Sequence, residues 1–357
     1  MKTTWLLILT TLLAPHLVLG QASTSTWDGG GDQVSWTDGG NWGGTAPSAQ
    51  DILEFDGTVG LTNSNDYAAG TEFDGIEFLS GAGAFSISGN AIDLNGDITS
   101  AATGTQGLGL DLALQGNTLV DITADDDTSR ITLSGDISGS YDLTLRGTEA
   151  DGWNRVTLSG SNSYTGTTYV GTSGNDVTGW FTDPGALPGD VVVADGSQLK
   201  LAPEGTAKEF TNDITISGDG AESLSQPGWM GKNFAGALVL NNGAEVSGTV
   251  TLTGDSRISG NNRSSGTISG QITGNHALTF GQNGGGPGTI RISNPANDWT
   301  GDTSVTGGGL TSSSGRKFRL ELDAANVLPS GVGYGDLNIA TNRNTTVDTN
   351  GNDQSIN

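Results

Sequence analysis

From Ile76 onward, apolar residues alternate with polar ones in short bursts. The first are Ile76-x-Phe78, Phe85-x-Ile87, Ile92-x-Leu94 and the longer run Leu108-x-Leu110-x-Leu112-x-Leu114. Leu143-x-Leu145, Val156-x-Leu158, Val191-x-Val193, Leu199-x-Leu201, Ile214-x-Ile216 and Leu238-x-Leu240 follow. Val250-x-Leu252, Leu278-x-Phe280, Ile290-x-Ile292, Leu320-x-Leu322 and Leu337-x-Ile339 complete the series. A period of two predicts strands with one buried face. The Ser-Gly, Asn-Gly, Gly-Asp and Pro-Gly pairs between bursts supply positive φ or a preset bend. No stretch keeps a helical period, so very little helix is expected.

The bursts sit inside a larger, loose repeat. The block Ile131-Thr-Leu-Ser-Gly-Asp-Ile-Ser-Gly-Ser-Tyr-Asp-Leu-Thr-Leu145 returns as Gly266-Thr-Ile-Ser-Gly-Gln-Ile-Thr-Gly-Asn-His-Ala-Leu-Thr-Phe280, at an offset of 135 (280 − 145). Tyr164 and Trp299, in the next block, are also 135 apart (299 − 164). Leu112-Ala-Leu-Gln-Gly-Asn117 matches Val250-Thr-Leu-Thr-Gly-Asp255 at 138, and Ala186-Leu-Pro188 matches Val327-Leu-Pro329 at 141. A period that drifts in this way points to stacked units, each burying a face against the next. A sandwich or propeller would join its strands by hairpins and close at a fixed size. A β-solenoid of coils of about 20 to 25 residues fits better, because the bursts are short and the insertions fall between them. On the order of a dozen coils at about 4.8 Å each predicts a rod roughly 60 Å long.

Residues 27–56 have a different character. Trp27, Trp36 and Trp42 fall close together in a chain that has eight Trp, and Pro47 leads to Asp51-Ile-Leu-Glu-Phe55-Asp56. The first coil of a solenoid exposes its core and a strand edge, so an aromatic cap is expected there, in preference to a sugar-stacking platform. Ahead of it, Lys2, the apolar run Trp5 to Leu13 and the small residues of Val18-Leu-Gly20 read as a secretory signal cleaved after Gly20, or alternatively after Ala22. Thr10, Thr11, Pro15 and His16 interrupt that run, which is too short for a retained membrane helix. The expected organisation is therefore a signal peptide (1–20), a Trp-rich cap segment (21–75) and a solenoid with a first repeat (76–235) and a second (236–357). The second stops inside what reads as a further coil, with a missing C-terminal anchor or transporter module expected beyond it.

The segments Leu158-Ser-Gly-Ser-Asn-Ser-Tyr-Thr-Gly-Thr-Thr-Tyr-Val170 and Ile292-Ser-Asn-Pro-Ala-Asn-Asp-Trp-Thr-Gly-Asp-Thr-Ser-Val305, with Leu133-Ser-Gly-Asp-Ile-Ser-Gly139 and Ile268-Ser-Gly-Gln-Ile-Thr-Gly274, carry a resemblance. In them the chain resembles the secreted bacterial proteins built from autotransporter-associated β-strand repeats, also called passenger-associated transport repeats. Their pattern is a leucine-serine-glycine stretch, an asparagine, then tyrosine-threonine-glycine and further threonines. The second copy departs from it at Asn294-Pro295 and Trp299. The resemblance implies a right-handed parallel β-helix, exported and then displayed at the outer membrane or shed, with no catalytic residues. Nothing in the chain resembles the membrane-embedded barrel of an autotransporter.

Composition narrows the chemistry. Cysteine is absent, which excludes disulfides, thiolate metal sites and Cys nucleophiles. Removing Lys2 with the signal leaves 13 basic against 39 acidic residues, a net charge of −26 (13 − 39) that repels nucleic acid and anionic lipid. His276 is the only histidine beyond the signal, and its counterpart one repeat earlier is Tyr141, so the position reads as a tolerant surface turn. Asp125-Asp-Asp127 with Arg130 lacks EF-hand ligand spacing and reads as a solvated turn. Asp93-Leu-Asn95-Gly96-Asp97 and Asp348-Thr-Asn350-Gly-Asn-Asp353 look faintly like Ca²⁺ loops, but Asn-Gly and Asp beside strands are what a tight turn needs, so they read as turns. No catalytic, cofactor or metal residues are assigned. The reading is a non-enzymatic surface stalk or adhesin-like segment with an unknown surface or glycan ligand. The alternative is a polysaccharide-binding or polysaccharide-degrading β-helix, with Trp180, Phe181 and Trp229 on inserted loops contacting sugar.

Overall fold

The computed structural model describes residues 23–126, 128–148, 154–223, 233–234, 236–261, 264–283, 288–307, 318–340 and 345–356. The expected signal segment lies outside them. The chain is all-β, and the helical turns among the described residues are two short 3-10 segments, Gly39–Trp42 and Pro184–Ala186. Parallel strands stack into a β-solenoid of about 12 turns. Among the described residues its strand pairs are parallel except Glu222–Ser223 with Asn233–Phe234.

Alternation within each strand sends every second side chain inward, and parallel stacking then lines those residues up in columns. One column runs Leu53, Ile76, Ile98, Val120, Leu145, Val170, Val193, Ile216, Leu252. A second runs Ile87, Leu108, Leu133, Leu158, Phe181, Leu201, Leu240. Phe210, followed in the second repeat by Val246, Ile268, Ile292 and Leu322, forms the equivalent. All of these side chains are buried. From Leu143 to Thr168, to Val191 and to Ile214 the numbering advances by 25, 23 and 23 (168 − 143, 191 − 168, 214 − 191). The next step, to Val250, is 36 (250 − 214), so the drift of the repeat comes from insertions between strands.

Two features of the repeat motif have direct structural causes. Asn162 accepts the Ile137 N–H of one neighbouring coil (2.8 Å) and donates to the Ala186 carbonyl of the other (2.8 Å). Asn297, its counterpart in the second repeat, does the same with Ile272 N (2.7 Å) and the Val327 carbonyl (2.9 Å). Each amide thus satisfies buried backbone groups of two coils at a corner where the strand ladder is broken. The buried rings of Tyr164 and Trp299 each close on a nearby downstream hydroxyl, Tyr164 Oη with Thr168 Oγ1 (2.6 Å) and Trp299 Nε1 to Thr303 Oγ1 (2.9 Å). Burial pushes the Tyr164 phenol up to about 12. The Ser-Gly glycines mark close approach: a Cβ on Gly160 would lie 2.1 Å from the Gly135 carbonyl oxygen, and one on Gly135 2.0 Å from that of Leu110.

The N-terminal segment is part of the same stack. Thr24–Trp27 pairs with Ile52–Phe55, which pairs in turn with Gly75–Phe78. Trp27, Trp36 and Trp42 are buried over Phe55, and Trp42 stands edge-on to both other indoles, with centroids 5.2 and 6.2 Å apart. Every indole N–H is satisfied, by Val59 O (3.1 Å), Asn63 Oδ1 (2.8 Å) and Trp36 O (2.8 Å) respectively. The rings fill the end of the rod and expose no sugar-stacking face. At the other end, the alternation at Leu337-x-Ile339 does not produce burial: Leu337 is half-buried and Ile339 is 43% exposed.

Candidate functional site

Aspartates concentrate at the corners, where they act on the coil above. Asp111 Oδ1 accepts the Asp136 N–H (2.8 Å), and Asp136 Oδ1 accepts that of Ser161 (2.6 Å), forming a staircase. Asn117 and Asp142 repeat the device with the N–H groups of Asp142 (3.1 Å) and Thr167 (2.8 Å). Asp213, Asp255 and Asp302 do likewise with Thr249, Ala277 and Asp336. A carboxylate accepting a backbone N–H makes a charge-assisted bond where strand pairing has stopped. Much of the acidity of the chain therefore has a structural use.

The acidic runs of the sequence follow the same rule. Asp126 accepts the Thr128 N–H (2.8 Å) and its hydroxyl, and these bonds hold its carboxyl below the ordinary range, the hydroxyl bond contributing most. Asp127 lies outside the described residues. Asp97 accepts from Leu119 N (2.9 Å), and Asn95 donates to Asp74 (3.1 Å). Asp348 accepts from Asn350 N (2.9 Å) and from Arg319 (2.6 Å). Each set is used within its own turn or by the neighbouring coil.

A groove of about 610 Å³ crosses the corners of successive coils and is lined by Asp176, Asp195, Asp219, Asp255 and His276. His276 Nδ1 stands 3.8 Å from Asp255 Oδ1, beyond hydrogen-bond reach, and the Asp255 side chain is 80% exposed. Arg257 faces Asp219 at 3.4 Å. Among the described residues, His276 has no carboxylate within hydrogen-bond distance. Among the described residues no three His, Asp or Glu side chains converge as a metal set.

The outer surface of one sheet carries a different cluster. Trp180 and Phe181 lie within the strand Thr178–Phe181, which corrects the expectation that they sit on inserted loops. Alternation divides them: Phe181 points inward and is fully buried, and Trp180 points outward. Trp229 lies outside the described residues. The Trp180 row sits between the rows Arg155–Leu158 and Gln198–Leu201. From one of these rows the Arg155 guanidinium reaches over the indole, with Cζ 4.5 Å from its centroid, and from the other Lys200 Nζ reaches over it at 3.5 Å. Burial, reinforced by the Arg155 charge, lowers the Lys200 ammonium to about 8. Burial, reinforced by Arg130, lowers the Arg155 guanidinium. Arg155 Nε and Trp180 Nε1 are buried without a hydrogen-bond partner. The sequence offered a partial signal for this cluster: three outward positions on adjacent coils carry Arg, Trp and Lys. Only the register shows that they meet.

Comparison with protein-family models, with curated proteins and with solved structures finds no match.

Proposed function

We propose that this chain is a non-enzymatic structural rod, exported by its N-terminal signal and displayed at or shed from a bacterial surface as a passenger-like stalk or adhesin segment. The observation that carries the reading is the use made of the polar residues. Asn162, Asn297 and the corner aspartates are occupied in holding one coil to the next, and the acidic groove at His276 lacks the hydrogen-bonded pair that acid–base chemistry needs. The repeat segments that resemble autotransporter-associated β-strand repeats supply the link to export and display.

The reading is tested in two steps. Residues 1–22 fused to a reporter that is active only outside the cytoplasm should direct its export, with cleavage after Gly20 or Ala22. The purified chain, offered acidic and neutral polysaccharides with and without Ca²⁺, should release neither reducing ends nor unsaturated products. A cytoplasmic reporter would defeat the export part. Turnover abolished by Asp126→Asn, or by His276→Ala, would defeat the non-enzymatic part.

A further inference from the structure

The surface of this chain is short of positive charge, and most of what is described is neutralised. Arg146, Lys208, Arg257, Arg291 and Arg319 each contact a carboxylate. Among the described residues Arg155 and Lys200 contact none; both instead stand over the one indole of Trp180. Two like charges have been brought onto the coils on either side of Trp180 and largely out of water, in a protein with 39 acidic residues to choose from. The indole faces offset part of that cost through cation–π attraction. They do not satisfy the hydrogen-bond donors, and a buried donor without an acceptor is unfavourable. Four such atoms occur among the described residues, and two of them, Arg155 Nε and Trp180 Nε1, belong to this cluster.

We infer that Arg155, Trp180 and Lys200 form a binding site for a single oxyanion group: a carboxylate, sulfate or phosphate. The three side chains offer donors only, and each keeps a part of its surface open to solvent. Cations reaching over the ring from the coils on either side compete with a sugar for its faces. What remains is the indole edge with its N–H, the guanidinium and the ammonium, which match an oxyanion and not a hydroxyl-rich ring. Binding requires the long Arg155 and Lys200 side chains to rotate until their donors, with the buried Trp180 Nε1, meet on one guest. The net charge of −25 selects further. A polyanion laid along the rod meets the corner aspartates of several coils, whereas one isolated oxyanion meets the local pair of cations. The guest is therefore a free small anion or a single acidic group on an otherwise neutral glycan. This goes beyond the rod reading, which stands with or without the site.

The test uses the full exported chain at constant ionic strength. Sodium sulfate and sodium glucuronate should each give a saturable change in tryptophan fluorescence, and glucose should give none. Lys200→Gln and Arg155→Gln should each weaken sulfate binding at least tenfold while unfolding stays cooperative. Should either variant fail to fold, nitrogen-labelled wild-type protein serves instead: sulfate should shift the Arg155 Nε–H and Trp180 Nε1–H resonances ahead of other side-chain signals. A neutral oligosaccharide carrying one terminal uronate separates the two sources. Affinity tenfold above free glucuronate identifies a glycan-borne group, and equal affinity a free anion. The inference is overturned if neither sulfate nor glucuronate saturates, if both folded variants bind like the parent, or if the Arg155 and Trp180 resonances stay still.

Discussion

The first and the last described coils solve one problem in different ways. At the N-terminal end Trp27, Trp36 and Trp42 cover the first apolar layer, and their N–H groups all find acceptors. At the last described coil Ile339 is 43% exposed, Leu337 and Val347 are half-buried, and Val332 and Ile356 face solvent. The alternation is the same at both ends. What differs is whether a described layer lies on top of it. An inward-facing residue is buried only when a layer exists on either side, so apolar patterning has unequal value along a stack.

The strongest way to break this comparison is to remove a cap ring. Trp36→Ala should cost about 3–5 kcal/mol, and Ile339→Ala under about 0.5 kcal/mol, as measured by denaturant unfolding. Equal costs would show that the ends do not differ. Limited proteolysis should correspondingly trim the Ile339 coil before the Trp coil. Next in size are the two corner asparagines. Asn162→Ala and Asn297→Ala each strand a buried N–H and a carbonyl, at about 1–3 kcal/mol. Asn162, deeper in the stack, should show the larger effect.

Titration sharpens the comparison between the middle and the ends. Lys200 in the middle has a folded value of about 8 against 10.5 for the free side chain. Because the unfolded chain holds the proton more tightly, stability should rise as pH climbs from about 8 to about 10.5, and be lost below. Lys200→Met should abolish that rise and stabilise the rod at pH 7 by about 1–2 kcal/mol, the full shift being discounted for partial exposure. At the N-terminal end the sign reverses. Burial raises the Asp51 carboxyl, but the hydrogen bonds it accepts from Ser23, Ser48 and Ser25 outweigh this and leave it below its ordinary value. That contribution is present above about pH 4 and is lost as pH falls through the lowered folded value. Asp51→Asn should flatten this acid limb of the stability profile, leaving the alkaline limb from Lys200 unchanged.

Much of the fold was legible because strand burial leaves a period of two and coil stacking leaves a period near 25, and both survive insertions. Leu145, Leu158 and Val193 could be placed inward from their neighbours in the chain alone. The cation cluster was not legible in this way. Arg155, Trp180 and Lys200 are separated by intervals of 25 and 20 (180 − 155, 200 − 180), and a slip of one position in either strand would send a side chain to the opposite face. The aspartates were visible as turn residues, but that Asp136 serves Ser161 in the coil above depends on the stacking offset.

Local chemistry thus decides which residues form strands, which turn, and which side of each strand is apolar, because those preferences act between near neighbours along the chain. Which coil stands above which, and so which amide meets which carbonyl and which cation meets which ring, is decided by the parallel register between coils. That register is set by packing across the whole interior: displacing one coil would misalign apolar columns on every face at once. It is why Asn162 and Asn297 play one role despite the insertions between them, and why Trp36 is buried while Ile339 is not.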